Sequence, residues 1–218
     1  MNEKDVTESL KQAKENSKKR NFTQTYDMII NLKNLDLKKP ENHLDFYLTL
    51  HYSRGKKSRI CALVGTELLD DAKKVCDNVI HSDEFEEYSK DKKKAKKLAQ
   101  DYDFFIAQAN IMPQVASTFG KIFGPRGKMP NPKAGCVVPP KTNLKPLYEK
   151  LQDTVRIQVK DKMMIQCAVG NESMEDKEIA DNIINVYNNT MHSLPLEKNN
   201  IKSVFLKLTM GKPVPVKF

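Results

Sequence analysis

The sequence predicts a mixed α/β protein in which both chain ends share one sheet and the middle of the chain forms an inserted domain. Residues 201–211 alternate apolar and polar side chains with the period of a half-buried strand, and residues 22–32 repeat this pattern near the other end. Either strand alone would have an unpaired edge, so we expect one sheet to contain both. The residues between them alternate apolar strand-like runs with helical patterns, which is typical of a parallel three-layer domain.

Length and composition agree with two domains. The 218 residues are 39% hydrophobic, enough for a sizeable core. Lys and Arg outnumber Asp and Glu by 37 to 28, and the net charge of +9 favours a polyanionic partner over the alternative of an uninvolved basic surface. No signal-like segment begins the chain and no apolar run reaches membrane-spanning length, so we expect a cytoplasmic protein without membrane contact.

The first domain is predicted to begin with an amphipathic helix that includes Val6, Leu10, Ala13 and Ser17. A basic triplet, residues 18–20, closes this helix and either caps its C-terminus or contacts phosphate. The strand that follows has a core-facing parity made of Phe22, Tyr26, Met28, Ile30 and Leu32. Pro40 marks a turn, residues 44–50 read as a further strand, and the basic loop 52–57 is predicted to lead into the insert.

In the insert, residues 60–64 form a continuous apolar run, typical of a strand covered on both faces, with Thr66 as a candidate helix cap. Its remaining predicted elements are a helix over 68–75, a strand at 78–80, a strand over 102–107, a helix over 111–119 that Pro113 begins, and a Gly- and Pro-rich loop over 120–140. The run 90–97 holds six lysines, which indicate either a solvated helix face or a phosphate-binding patch.

The chain then returns to the first domain. After a helix around residues 144–151, strands 154–159 and 163–169 are predicted to form a hairpin across residues 160–162. Ser173, with Asp176 three residues on, is predicted to begin the last helix. Its expected buried stripe is Ile179, Ala180, Ile183, Ile184, Tyr187 and Met191.

Patterns that indicate catalysis or cofactor binding are missing from the sequence. The run Val64-Gly65-Thr66 offers one glycine where a dinucleotide loop needs three, and Met129 follows Gly127-Lys128 where a phosphate loop needs Ser or Thr. Pro130 and Pro132 follow the GxxG of residues 124–127 too closely for the helix of a KH module. The four histidines and four cysteines are dispersed, without metal-ligand or disulfide spacing. We therefore expect no catalytic, cofactor or metal residues, with a nucleotide-using α/β enzyme in the insert as the alternative.

The last strand has the strongest signature of a binding surface. One side is predicted to pack and holds Val204, Leu206, Leu208 and Met210. The other side is predicted to be presented and holds Ser203, Phe205, Lys207 and Thr209, before Gly211. Hydroxyls, a lysine and a ring suit the ribose and phosphate of RNA better than they suit catalysis.

The long motif of residues 119–133, which contains Gly-Pro-x-Gly-x-Met-Pro-Asn-Pro-Lys, resembles the signature of the universal large-subunit ribosomal protein one family, whose eukaryotic counterpart is large-subunit protein ten-a. Segments 20–24, 31–40, 102–108 and 209–213 extend the resemblance over nearly the whole chain, in a style similar to archaeal members. It implies an RNA-binding first domain of residues 1–66 and 157–218. It also implies an inserted Rossmann-like domain of residues 67–156 without nucleotide.

The resemblance also implies a function. Members bind large-subunit rRNA at the mobile ribosomal stalk, assist release of tRNA from the exit site and often repress their own mRNA. The protein is then expected to be non-enzymatic, free of cofactors, cytoplasmic on the ribosome, and a monomer when free. The family's RNA contacts map here onto Phe22, Thr23, Gly170, Ser203, Thr209, Met210 and Gly211. To these the charge pattern adds Arg20, Lys162 and Lys207 as phosphate contacts.

Two positions need separate comment. The family commonly has a His-Gly-x-Gly-Lys turn near position 51, whereas residues 51–56 here read His-Tyr-Ser-Arg-Gly-Lys, so a role of that turn does not transfer. Loop 124–133 is interpreted as shaping the second domain and its hinge, with direct RNA contact as the alternative.

Overall fold

The computed structural model describes residues 1–39 and 42–218, so the turn expected at Pro40 lies outside the described residues. Backbone contacts divide the chain into two compact units, which we call the terminal unit (Met1–Lys56 and Asp153–Phe218) and the inserted unit (Lys57–Gln152). The domain bounds given with the family resemblance lie later, after residues 66 and 156, whereas loop 52–57, predicted to lead into the insert, coincides with the observed division. The difference arises because strand Ile60–Val64 pairs within the parallel sheet of the inserted unit, while strand Thr154–Val159 pairs with Leu44–Thr49 of the terminal unit.

The fold is mixed α/β, which confirms the predicted class. The helices are α1 (Glu3–Glu15), α2 (Leu69–Val75), α3 (Phe85–Lys90), α4 (Lys92–Asp101), α5 (Met112–Arg126), α6 (Lys145–Gln152) and α7 (Asp176–His192). The strands are β1 (Thr25–Leu32), β2 (Leu44–Thr49), β3 (Ile60–Val64), β4 (Asn78–His81), β5 (Phe104–Gln108), β6 (Val137–Val138), β7 (Thr154–Val159), β8 (Met164–Asn171), β9 (Ile201–Leu208) and β10 (Val214–Val216). No helix among the described residues combines the length and apolar character needed to cross a membrane.

The terminal unit contains the sheet shared by both chain ends. Its strand order is β10-β9-β1-β8, and each neighbouring pair is antiparallel. The register of β1 on β9 runs from Tyr26 opposite Leu208 to Leu32 opposite Ile201. Alternate side chains of both strands are buried together with apolar residues of α1 and α7, so one face of the sheet packs as the alternation predicts.

The hairpin predicted for β7 and β8 is wrong. Strand β7 pairs with β2 in a separate two-stranded sheet, from Leu44 opposite Val159 to Thr49 opposite Thr154, while β8 pairs with β1. Both strands place apolar residues in the same core, so the alternation correctly predicted which side chains are buried. Strand partners depend on tertiary contacts that a short connection does not reveal.

The inserted unit is built on a parallel sheet of order β4-β3-β5-β6. Every residue of β3 is buried, which agrees with a strand covered on both faces. Helix α5 runs to Arg126, seven residues beyond the predicted end at Phe119 (126 minus 119). The helix continues because Phe119 and Phe123 stack with ring centroids 4.9 Å apart, and Pro125 lies only in its last turn.

Three predicted helix ends also differ. Helix α1 ends at Glu15, so the basic triplet 18–20 follows the helix and does not cap it. Thr66 lies inside a short 3-10 turn and makes no capping bond. Helix α7 begins with a capping box formed by Glu175 and Glu178, where Ser173 was expected. The stripe predicted for α7 is confirmed at Ile179, Ala180, Ile183 and Tyr187, whereas Ile184 and Met191 are only partly buried. It omits the buried residues Asn182, Val186 and Thr190.

Candidate nucleic-acid interface

Three chain segments meet at one end of the terminal sheet. Strand β1 begins there at Thr25, opposite Asn171, where β8 ends. Strand β9 ends beside them at Leu208, and the Thr209 amide donates to the Thr25 carbonyl at 3.0 Å. We call this region the sheet end and define it as residues 20–25, 170–172 and 208–211.

Buried Gln24 holds the sheet end together. Its backbone amide donates to Oε2 of Glu172 at 3.0 Å, and its side-chain amide donates to Oε1 of the same carboxylate at 2.9 Å. The same amide reaches Ser17 Oγ at 3.2 Å, and its carbonyl oxygen accepts from the Met210 amide at 3.1 Å. One fully buried side chain therefore joins the segment after α1, the end of β8 and the turn after β9.

The segment before β1 is exposed on this scaffold. Arg20 and Thr23 are exposed, and 52% of Phe22 is accessible to solvent. Phe22 continues the core-facing parity predicted for its strand, but it is exposed, because β1 begins three residues later at Thr25. The Arg20 cation, the Phe22 ring and the Thr23 hydroxyl are therefore accessible to solvent at the sheet end.

Strand β9 ends earlier than the alternation predicted. The chain turns over residues 208–211, closed by the Gly211 amide donating to the Leu208 carbonyl at 2.8 Å. Met210 was expected in the core, but it lies in this turn with 59% of its surface exposed. The Thr209 hydroxyl accepts from the Thr25 amide at 3.1 Å and contacts the Thr25 carbonyl at 3.3 Å, so it also extends the strand pairing.

Gly170 lies under the sheet end and is buried. It faces Tyr26, where the β1–β8 register shifts. A Cβ atom on Gly170 would lie 3.0 Å from Cγ1 of Ile179 and 3.3 Å from Sδ of Met174. Close packing against the start of α7 is therefore a reason for glycine at this position.

The open face of the sheet continues from the sheet end. Lys207 lies opposite Asp27, and both line a shallow depression with Ile29, Gln166 and Ala168. Burial raises the pKa of the Asp27 carboxyl above its usual value, and the nearby Lys207 ammonium opposes that shift. The cation and carboxylate together make this middle part of the face polar without a large net charge.

The remaining two predicted contacts lie at the opposite end of the same face. Ser203 pairs with Asn31, whose side-chain amide donates to Ser203 Oγ at 2.9 Å. Lys162 precedes Met163, whose carbonyl accepts from the Leu32 amide at the far end of β1. Six residues separate Ser203 from Thr209, or about 20 Å of strand. The predicted residues therefore form two groups.

Gln24, Glu172 and Asn31 belong to this surface but were not predicted as part of it. A signal for Gln24 was present, because its even number places a polar side chain in the core-facing register of β1, where it needs hydrogen-bond partners. Glu172 and Asn31 have no comparable signal, since their partners come from residues distant in the sequence.

In the inserted unit, residues of the Gly-Pro motif make contacts within that unit. Gly127 ends α5 in the left-handed conformation, with φ of 65°, and Lys128 Nζ donates to the Tyr102 carbonyl at 2.5 Å. Burial lowers the pKa of the Lys128 ammonium. Asn131 Oδ1 accepts from the Lys133 amide at 2.9 Å. Loop 124–133 is therefore folded against its own unit.

The carboxyl edge of the parallel sheet, where nucleotides bind in related architectures, is also internally bonded. The Gly65 amide donates to Gln108 Oε1 at 2.9 Å, and Gln108 Nε2 donates to Glu67 at 2.9 Å. Among the described residues, no three His, Cys, Asp or Glu side chains are grouped as a metal ion would require. Burial raises the pKa of the Cys76 and Cys136 thiols to about 11, which keeps them protonated at neutral pH.

The fold and the exposed polar sheet end define a two-unit α/β protein whose terminal unit is interrupted by a parallel insert. Comparison with known proteins gives the family. A model described as "Ribosomal protein L1p/L10e family" matches residues 10–212, and the chain belongs to this family. The resemblance inferred from the sequence motifs is confirmed.

Similar curated proteins cover almost the whole chain. A protein of Methanothermococcus thermolithotrophicus is 44% identical over 216 residues, which are 99% of each chain. One of Thermococcus kodakarensis is 43% identical and covers 97% of this chain and 96% of its own. One of Methanobrevibacter smithii is 46% identical and covers 97% and 98%. Each is named large ribosomal subunit protein uL1.

Proposed function

We propose that this protein is a non-catalytic component of the large ribosomal subunit that binds large-subunit rRNA at the mobile stalk through its terminal unit. The names of its relatives and its membership of the family support the ribosomal role. The observation that supports the binding surface is the sheet end, where Gln24 holds exposed Phe22, Thr23 and Met210 on a rigid frame.

The surface offers RNA two kinds of contact. At the sheet end, the half-buried turn at Gly211, the Thr209 hydroxyl and the exposed apolar side chains of Phe22 and Met210 suit riboses and the shallow groove of A-form RNA. Arg20 lies beside them as a phosphate contact. About 20 Å along the face, Lys162 and Ser203 meet a different part of the same RNA. Lys207 lies between the two groups, and its charge is partly offset by Asp27.

The wider roles are those that the resemblance to the family implies. On the stalk the protein assists release of deacylated tRNA from the exit site. The same surface represses translation of its own mRNA by binding a structure similar to the rRNA site. The protein acts in the cytoplasm as part of the ribosome and is a monomer when free. Crosslinking in cells, followed by sequencing of bound RNA, tests all three RNA partners: recovery of neither rRNA, tRNA nor its own mRNA would contradict the proposal.

Two substitutions test the sheet end. We expect Thr209→Ala to weaken binding of an rRNA stalk fragment about 2- to 10-fold, because a hydrogen bond contributes about 0.5–1.5 kcal/mol. Met210→Asp should weaken it more, since a carboxylate would face RNA phosphates. Filter binding measures both, and circular dichroism checks folding.

Two further variants serve as controls. Thr209→Ser keeps the hydroxyl and should bind almost as the parent does. Leu196→Asp introduces the same charge at an apolar residue that is 54% exposed outside the sheet end, and it should leave affinity nearly unchanged. Unchanged affinity in both Thr209→Ala and Met210→Asp would remove the sheet end from the interface.

The dependence of affinity on salt tests the phosphate contacts. Each lost contact should reduce the slope of log K against log salt by about 0.7–0.9. We expect Lys162→Gln and Lys207→Gln each to reduce the slope, while Thr209→Ala leaves it unchanged. A salt-independent parent affinity would exclude charge neutralisation. Nothing in the described residues favours the alternative of a nucleotide-using enzyme, and calorimetry with ATP and NAD would detect one.

A further inference from the structure

The charged residues of helix α4 in the inserted unit lie in the order that the helix dipole disfavours. Lys92, Lys93 and Lys94 occupy its first turn, which contains no acidic residue, and the last turn contains no basic residue but ends at Asp101. Cations are unfavourable at a helix N-terminus and anions at its C-terminus. The Asp91 side chain caps the helix by accepting from the Lys93 and Lys94 amides, and it offsets only part of this charge.

Ion pairs do not neutralise most of the lysines of α4. Lys94 pairs with Glu87, and Lys90 of α3 pairs with Glu86. Within residues 1–39 and 42–218, the four other lysines of α4 have no ion-pair partner; they are Lys92, Lys93, Lys96 and Lys97. They form two like-charge pairs at i and i+4, which destabilise a helix.

Packing does not require these lysines either. The contact of α4 with the core is made by Ala95, Leu98 and Ala99, which are buried, while the four lysines are exposed. Helix α2 of the same unit shows the opposite, stabilising order, with acidic residues in its first turn and Lys73 and Lys74 in its last. The charge order of α4 is therefore particular to that helix.

We propose that the exposed lysine face of α4 is a second RNA-binding surface, which takes the phosphate backbone without reading sequence. The lysines act as point charges, which suits phosphates in any local geometry. The buried Ala95, Leu98 and Ala99 leave the exposed face of α4 without an apolar side chain, so an acidic peptide would find no anchor there. The proposal is independent of the sheet end, because it concerns the inserted unit.

A fourfold variant of the full chain, Lys92→Gln, Lys93→Gln, Lys96→Gln and Lys97→Gln, tests the proposal. The probe is a 20-base-pair RNA duplex of arbitrary sequence. We expect its affinity to fall about tenfold or more at low salt, with a salt slope smaller by about 3. We also expect the Tm to stay equal or rise, because the variant removes repulsion. A residue that served only folding would instead lower the Tm.

Lys73→Gln with Lys74→Gln is the matched control. It removes two exposed lysines from the favourable end of α2, so duplex affinity should hold while the Tm falls slightly. Unchanged duplex affinity and salt slope in the fourfold variant would overturn the proposal, as would equal competition by polyglutamate at matched charge, which indicates an acidic protein partner. Binding of the rRNA stalk fragment is measured separately, so failure at the sheet end does not affect this result.

Discussion

At the scale of single residues, Gln24 is the side chain on which the candidate interface depends. It is fully buried and contacts Ser17, Glu172 and Met210 from three separate segments. A buried polar group without partners costs free energy, so each of these segments is held where it satisfies Gln24. The exposed side chains beside it can then be oriented before RNA arrives, which reduces the entropy lost on binding.

We expect Gln24→Ala to lower the free energy of unfolding by about 1–3 kcal/mol, because it removes the hydrogen bonds of the buried Gln24 side chain to Ser17, to Oε1 of Glu172 and to the Met210 amide. Affinity for the rRNA stalk fragment should also fall, although Gln24 itself is not exposed. Urea denaturation and filter binding measure the two effects. Gln12→Ala on the exposed side of α1 is the control and should change stability by less than about 0.5 kcal/mol. A stable Gln24→Ala protein with full affinity would contradict the assigned role.

At the scale of secondary-structure elements, periodicity predicted burial better than it predicted ends. Tyr26 and Met28 in β1 and Leu206 and Leu208 in β9 are buried as the alternation requires. Phe22 and Met210 continue the same parity in the sequence, yet both lie beyond the paired segments and are exposed. A strand ends where its hydrogen-bonding partner ends, and the side-chain alternation does not contain that information.

The start of α7 allows a direct comparison of a predicted and an observed cap. We expect Glu175→Ala to lower the free energy of unfolding by about 0.5–2 kcal/mol, because it removes the side-chain acceptor of the capping box, while the Glu175 backbone amide still donates to Glu178. Ser173→Ala should cost less than about 0.5 kcal/mol, since the exposed Ser173 hydroxyl donates to Asn171 Oδ1 outside the helix. Chemical denaturation of both variants measures the difference. A larger loss of unfolding free energy in Ser173→Ala than in Glu175→Ala would identify Ser173 as the cap, as the sequence pattern predicted.

At the scale of the whole molecule, the terminal unit has a hydrophobic core of its own. Its core residues all lie within Met1–Lys56 and Asp153–Phe218. Thr49 of β2 pairs with Thr154 of β7, and the Leu50 amide donates to the Asp153 carbonyl at 2.9 Å. The terminal unit thus holds the two chain segments that lead to and from the insert side by side.

We therefore expect a variant in which a short Gly-Ser linker replaces residues 57–152 to unfold cooperatively and to bind the rRNA stalk fragment about as well as the full chain. Circular dichroism during urea denaturation and filter binding are the measurements. The same variant should lose affinity for an arbitrary RNA duplex, because it lacks α4. A folded variant that fails to bind the stalk fragment would show that the sheet end is insufficient.

The sequence by itself determined the fold class, the shared sheet of the two chain ends and the family, because alternation, buried apolar runs and a long Gly-Pro motif are local patterns. Tertiary structure decided that β7 pairs with β2 and that Phe22 and Met210 are exposed. Such features depend on partners distant in the chain. The local pattern of a strand or helix specifies which of its faces is apolar. Only the folded chain specifies which residues lie opposite that face.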